Sequence, residues 1–298
     1  MSESRYCDWI ALDWGNSRLR AWAMVGDRPR AEIATEAGVA ACSGDFEAAL
    51  LAAVGDWLGQ GRTEVLACGA VGAREGWVEV PYRPVPCPPR PDRARAAPAR
   101  DGRLDVRVLP GLSPADPPGV MRGEETLLAG LLAREPGFDG VVCLPGTHDV
   151  WAQISAGEVV SFRSFMTGEL FALVGGCSTV APAIGEGWDE AAFAEAVADG
   201  LSRPEQMAAR LFGLRAAWLL TDADRDAARA RLSGWLIGAE LAASRPYWLG
   251  QRVAVVGAPA LADAHVAALA MQGIAAERFA ASDLAVAGLV AARAALAG

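Results

Sequence analysis

Apolar and polar positions divide this chain into short strands, longer helices and polar tips between strands. Residues 9–12 form a brief apolar run, which Asp13-Trp14-Gly15-Asn16-Ser17-Arg18 interrupts. Leu19, Ala21, Ala23 and Val25 then share one face of an alternating strand. The spacing predicts a hairpin with a polar tip, a third strand over 30–35 and a helix over 45–58 carried by Phe46, Leu50, Leu51, Val54 and Leu58. A strand over 64–70 leads into Gly69-Ala-Val-Gly72, with Trp77 and Tyr82 close behind. Glycines at a strand end allow a ligand to approach the backbone, and the two aromatic rings offer apolar faces for a sugar. Residues 83–103 are rich in Pro and Arg without apolar periodicity and read as a surface excursion or partly ordered loop. A strand follows over 104–109, and a helix opens at Glu124.

Near residue 138 the pattern restarts. An apolar run over 141–144 meets the tip Pro145-Gly146-Thr147-His148-Asp149, and strands follow over 150–154 and 158–165, with a helix opening at Thr167. Helices are expected over 188–212 and 216–243, a strand over 252–256 ending at Gly257, a helix facing inward through Leu261, Val266 and Leu269, a strand over 275–279, and a last helix over 281–296. Gly and Asn tolerate the left-handed backbone of tight turns, whose N–H groups can cradle a phosphate. Two such tips, one per half, imply two similar domains, 1–137 and 138–298, each offering a turn to one phosphate chain. Asp13 can hold a magnesium ion through water. His148 reads as a hydrogen-bonding site residue with no evident acid–base partner, and Gly257 leaves room for a flat ring at a strand end.

Composition narrows the chemistry. The chain has 298 residues, 52% of them hydrophobic, enough for two cores. A net charge of −9 argues against nucleic-acid and anionic-membrane partners. The absence of a leader pattern or an apolar run of spanning length points to the cytoplasm. The six cysteines are scattered, with no C-x-x-C pair and only two histidines, so they read as small core residues rather than zinc ligands or disulfides. All 27 basic residues are arginines. Without lysine there is neither a Walker P-loop nor a Schiff base, and without a G-x-S-x-G elbow a serine hydrolase has no nucleophile.

The stretch Arg122-Gly123-Glu124-Glu125 supports two readings. Acids in a first helical turn complement the helix dipole, and a carboxylate there can also take a proton from a substrate hydroxyl.

In this order, Asp13-x-Gly15, Gly146-Thr147 and the 253–257 strand resemble the phosphate-1, phosphate-2 and adenosine motifs of the actin, hexokinase and Hsp70 ATPase-like superfamily. Met121-Arg-Gly-Glu-Glu-Thr126, Leu144-Pro-Gly-Thr-His148, Phe165-Met-Thr-Gly-Glu-Leu170 and Leu236-Ile-Gly-Ala-Glu240 are similar to the 2-dehydro-3-deoxygalactonokinase family over nearly the whole chain. The resemblance implies an α/β protein of two RNase H-like (actin-like ATPase) domains with mixed sheets flanking an interdomain cleft. It implies an ATP- and Mg2+-dependent transfer to the 6-hydroxyl of 2-dehydro-3-deoxy-D-galactonate, in galactonate catabolism. Asp13 then holds the metal, and Gly15, Asn16, Ser17, Gly146, Thr147 and His148 hold the phosphates. Gly257 abuts the adenine, Glu124 or Glu125 is the base, and Arg18, Arg122, Gly72 and Trp77 serve the sugar acid. Asp149 has no assigned place in the pattern. Two alternatives share the fold: a sugar-acid sensor without turnover, and a phosphatase using water as acceptor.

Overall fold

The structure, a computed structural model, describes residues 6–297, so most of the N-terminal stretch read above for a leader lies outside the described residues. The strands are β1 (Trp9–Trp14), β2 (Leu19–Val25), β3 (Arg28–Thr35), β4 (Thr63–Cys68), β5 (Arg83–Pro84), β6 (Arg95–Ala96), β7 (Leu104–Val108), β8 (Leu112–Ser113), β9 (Gly140–Leu144), β10 (Asp149–Ser155), β11 (Glu158–Phe165), β12 (Val253–Gly257) and β13 (Glu277–Ala280). The helices are α1 (Phe46–Val54), α2 (Glu124–Arg134), α3 (Thr167–Cys177), α4 (Glu190–Ser202), α5 (Met207–Leu220), α6 (Arg225–Ala243), α7 (Arg245–Trp248), α8 (Pro259–Ala270) and α9 (Ala281–Ala297).

Two sheets repeat one design. The first runs β3-β2-β1-β4-β7-β6 and the second β11-β10-β9-β12-β13, so β1, β4 and β7 correspond in place to β9, β12 and β13. β1 pairs antiparallel with β2 and parallel with β4, and β12 pairs parallel with both β9 and β13. Alternation along β1 explains the layering of the first unit. Ile10, Leu12 and Trp14 pack with Phe46 and Leu50 of α1, while Trp9 and Ala11 pack with Ala285 and Leu289 of α9. In the second unit Val141, Cys143, Val253 and Val255 pack with Phe193 of α4 and Ile237 and Leu241 of α6.

The chain does not divide at a single cut near 137. Residues 281–298 and Ile154–Ser161 group with the first unit, while Gly140–Gln153 and Phe162–Ala280 form the second. The reason is packing. The apolar stripe of α9 has its complement on β1 and against α2, where Gly288 and Gly130 bring two helix backbones together; a Cβ at either would overlap a backbone carbonyl opposite.

The expected helices differ at their ends for local reasons. Asp45 caps α1 by accepting from Ala48 N–H, and the helix gives way to a 3-10 turn at Gly55. The expected 188–212 helix breaks at Pro204, and α5 runs on to Leu220; Asp224 then caps α6 through the Asp226 and Ala227 N–H groups. Residues 83–103 are tied down rather than loose. The Glu47 carboxylate accepts from the Arg100 and Asp101 N–H groups at 2.9 and 2.7 Å, Arg83 is buried and donates to the Arg90 carbonyl, and Cys87 bridges Val159.

Candidate active site

In the first unit, parallel pairing sets Asp13 beside Cys68, at the carboxyl ends of two strands, where α/β sheets bind ligands. The antiparallel register sets Arg20 opposite Asp13, and its Nη2 lies 2.8 Å from Asp13 Oδ2. Behind the tip, Gly15 N–H donates to the Arg18 carbonyl at 2.9 Å, and the carbonyls of Gly15 and Asn16 accept from Val39 and Ala40 N–H at 3.0 and 3.1 Å. Gly38 makes this clamp possible, because any Cβ there would overlap the Asn16 carbonyl. Asn16, Ser17 and Arg18 are exposed. Arg18 pairs with Glu36 at 3.4 Å across open solvent, an interaction that contributes little to stability.

Gly69, at φ +95°, turns the chain away from the end of β4, and Gly123, at φ +113°, lies close enough that a Cβ would sit 3.4 Å from Gly69 Cα. The start of α2 is therefore held against the strand ends. Its two acids have different surroundings. Glu125 is buried and accepts from Gly123 N–H at 2.7 Å; burial, and then the neighbouring Glu124, push its carboxyl up to about 8. Glu124 is half-buried and accepts from Arg122 N–H at 2.8 Å.

The Arg122 guanidinium lies 4.1 Å above the Tyr82 ring and donates from Nη2 to the Val80 carbonyl at 2.7 Å. Its Nε and Nη1 are buried with no hydrogen-bond partner among the described residues. Gly72 leaves the space this guanidinium fills, since a Cβ there would lie 2.8 Å from Nη1. Trp77 stacks on Phe46 at 6.3 Å, meets Trp14 edge-on at 6.2 Å and donates to the Pro98 carbonyl. These contacts fix the ring, which stays partly exposed.

The second unit repeats the clamped tip. Gly168, at the start of α3, takes the part of Gly38: a Cβ there would overlap the Gly146 carbonyl, and Glu169 N–H donates to the Thr147 carbonyl at 2.8 Å. Gly146 N–H is taken by Asp149 Oδ1 at 2.8 Å. His148 does have a partner, Glu169 Oε2 at 2.6 Å from its Nε2, supplied by α3 rather than by the tip itself. Beside the tip is a cavity of about 750 Å³ lined by Gly146, Thr147, Gly168, Phe171, Trp188 and Leu261 among others. Gly257 is not among its lining residues; its open side is filled by Pro145, whose Cγ would lie 2.9 Å from an added Cβ.

Beneath the tip lies a buried ionic cluster. His265 Nε2 is 3.1 Å from Asp149 Oδ2 and 3.5 Å from Glu240 Oε1, off the hydrogen-bond direction, so the link is an ion pair rather than an aligned hydrogen bond. Burial alone would lower the imidazole, but the two carboxylates outweigh it and push it up to about 10. Burial raises Asp149, to about 6; at Glu240 burial is outweighed by His265 together with Asp149 and Thr167, and the carboxyl is lowered. Cys143 places its sulfur in the same group, within 4.8 Å of the Glu240 and His265 donor atoms.

The family model described as 2-keto-3-deoxy-galactonokinase matches residues 13–292. The chain belongs to that family. It is 35% identical over 279 residues to the Rhizobium meliloti (strain 1021) protein named Probable 2-dehydro-3-deoxygalactonokinase DgoK1, covering 89% of this chain and 90% of the relative. It is 37% identical over 243 residues to the 2-dehydro-3-deoxygalactonokinase of Escherichia coli (strain K12), covering 80% of this chain and 81% of the relative. A crystal structure from Sinorhizobium meliloti assigned to the same kinase superposes with a TM-score of 0.88 at 36% identity, covering 96% of each chain. This 2-keto-3-deoxy-galactonokinase family member thus has the α/β fold of the actin-like ATPases and sugar kinases, with mixed sheets in two RNase H-like halves. The family is one of sugar-acid kinases. Among the described residues no helix is long and apolar enough to cross a membrane.

Several neighbours that this family member's fold brings together around the two tips were not legible in its sequence. Arg20 is one residue of an alternating strand, and only the hairpin register shows that it faces Asp13. Asp149, Glu240 and His265 come from β10, α6 and α8, and nothing in their local patterns links them.

Proposed function

We propose that this chain transfers the γ-phosphoryl group of ATP to the 6-hydroxyl of 2-dehydro-3-deoxy-D-galactonate, giving the 6-phospho sugar acid and ADP in galactonate breakdown. The observation that carries the reading is the second unit's cavity. It combines a glycine-bearing tip and a helix start, suited to phosphates, with aromatic and aliphatic walls suited to a base. The relatives' names supply the acceptor. Dependence on ATP favours the cytoplasm, where the nucleotide pool lies.

Phosphoryl transfer asks for positioning and charge stabilisation rather than covalent help from the protein. The Asn16–Ser17 turn and the Thr147–His148 turn are the parts we assign to the phosphates; the N–H groups of Gly15 and Gly146 are already spent within their own tips. Glu124 is the better candidate for base. Glu125 is buried and, with its carboxyl near 8, holds its proton at neutral pH, whereas half-buried Glu124 is reachable. Arg122, with two buried N–H groups unmet by protein, suits a substrate carboxylate.

Magnesium fits the residues present. Asp13 is a hard oxygen donor, partly exposed, with Oδ2 engaged by Arg20 and Oδ1 facing the weak Cys68 thiol at 3.9 Å. When bound, the ion would neutralise charge on the phosphate oxygens.

The test is ADP release in a coupled assay across a panel of 2-keto-3-deoxy acids, with phosphorus NMR of the product. Release that depends on the galactonate-derived acid, with a phosphomonoester on its primary alcohol, is the expected result. ATP hydrolysis indifferent to every sugar acid would sink the reading and favour water as acceptor.

A further inference from the structure

The buried trio beneath the second tip has no part in the chemistry just described, yet it is tied to the tip at Gly146 and to the first residue of α3 beside it. Asp149 Oδ1 holds Gly146 N–H at 2.8 Å, and its other oxygen faces His265 at 3.1 Å. His265 is anchored through Nδ1 to the Leu261 carbonyl at 2.9 Å, one turn earlier on α8. Leu261 and His265 both line the cavity. Glu240, from α6, accepts from Trp151 Nε1 at 2.6 Å and from the Thr167 hydroxyl. Thr167 is the first residue of α3, next to the Gly168 that abuts the Gly146 carbonyl. All three ionisable side chains are at most 3% exposed.

We propose that Asp149, His265 and Glu240 are positioning residues that set the shape of the 146–148 turn and the α3 start, and so govern phosphate binding without touching the phosphates. The reasoning is that of charge economy. A turn whose N–H groups must converge on an anion cannot be left to loop flexibility, and three buried charges are costly unless each is tied to its neighbours. Here the ties run to the tip through Asp149, to α3 through Glu240, and to the cavity wall on α8 through His265. Two of the three ties reach the tip and the α3 start, so cutting those two is expected to act on the phosphate end of a nucleotide.

This rests on the nucleotide reading of the cavity, and the experiment separates the two. Asp149→Asn keeps an oxygen for Gly146 N–H and leaves His265 and Glu240 as a balanced pair, so it is expected to fold. Thr167→Val removes the hydroxyl on Glu240 with little change of shape, and tests the second arm. Calorimetric titration with ADP and with adenosine, each with and without magnesium, is the measurement, alongside KM for ATP and for the sugar acid. The expected result is ADP binding weakened about tenfold or more, with adenosine binding and the sugar-acid KM within about twofold of wild type, and with the same loss when magnesium is chelated. Equal loss of ADP and adenosine would make the trio merely structural and overturn the proposal, as would unchanged ADP binding in both variants. A loss confined to magnesium-containing buffer would place Asp149 on the metal, and would overturn it too. If the wild-type chain binds neither ADP nor adenosine, the nucleotide reading itself fails.

Discussion

Glu125 holds its proton up to about pH 8 in the folded chain against an ordinary value of 4.5, so between those values the folded state binds more protons than the unfolded. Stability contributed by this site is present below about pH 4.5 and is lost as pH rises through 8, by about 5 kcal/mol at the upper limit. Glu125→Gln is therefore expected to flatten the dependence of the denaturation midpoint on pH across that window; an unchanged slope would show that the carboxyl is not held protonated. Glu124→Gln should act differently, lowering kcat by about 10²- to 10⁴-fold with little effect on the melting temperature. Arg122→Lys keeps the charge but loses the planar fork, and should raise the KM for the sugar acid by about tenfold while sparing the KM for ATP. If the KM for ATP rises instead, the guanidinium belongs to the phosphate side.

Among the elements, the two hairpin tips depend on small residues that arrive later in the chain. Gly38 and Gly168 each sit against a tip carbonyl, and neither position tolerates a Cβ without displacement of backbone. Gly168→Ala should therefore push α3 off the second tip and weaken ATP binding, with the sugar-acid KM kept. Gly288→Ala strikes a different contact, the α2–α9 crossing against Thr126, and should cost about 1–3 kcal/mol in urea denaturation. Sequence periodicity located these helices but not their crossings. Gly130 and Gly288 look like ordinary interruptions of Leu- and Ala-rich helices until the opposing carbonyls are in view.

For the whole molecule, the return of α9 to the first unit sets where the chain can be cut. Leu284, Ala285, Leu289 and Ala292 are buried. Burying each leucine contributes about 1.5–3 kcal/mol, so losing the helix is on the scale of a domain's net stability. A chain ending at residue 280 should lose cooperative unfolding of the first unit, read by near-ultraviolet circular dichroism from Trp9, Trp14 and Trp22, and addition of the missing helix as a peptide should restore part of it. A fragment of residues 1–137 should fail in the same way. Native-like folding of that fragment would mean that α9 is dispensable.

The local alphabet settled what repeats within a few residues: strand alternation, the polar tips at Gly15 and Gly146, the acids at the start of α2, and the absence of lysine that removed whole classes of chemistry. These are short-range properties, because backbone conformation and side-chain facing follow from neighbours two to four positions away. The order of motifs extended that reach to the family and its fold. What it left open was pairing across distance. That Glu169 meets His148, that Asp149 finds His265 and Glu240, that Trp77 is committed to Phe46, and that Glu125 is buried while Glu124 is reachable all depend on which helix crosses which strand. Such contacts are decided by the packing of surfaces whose residues are far apart in the chain, and only the folded molecule brings them within the few ångströms over which charge and hydrogen bonding act.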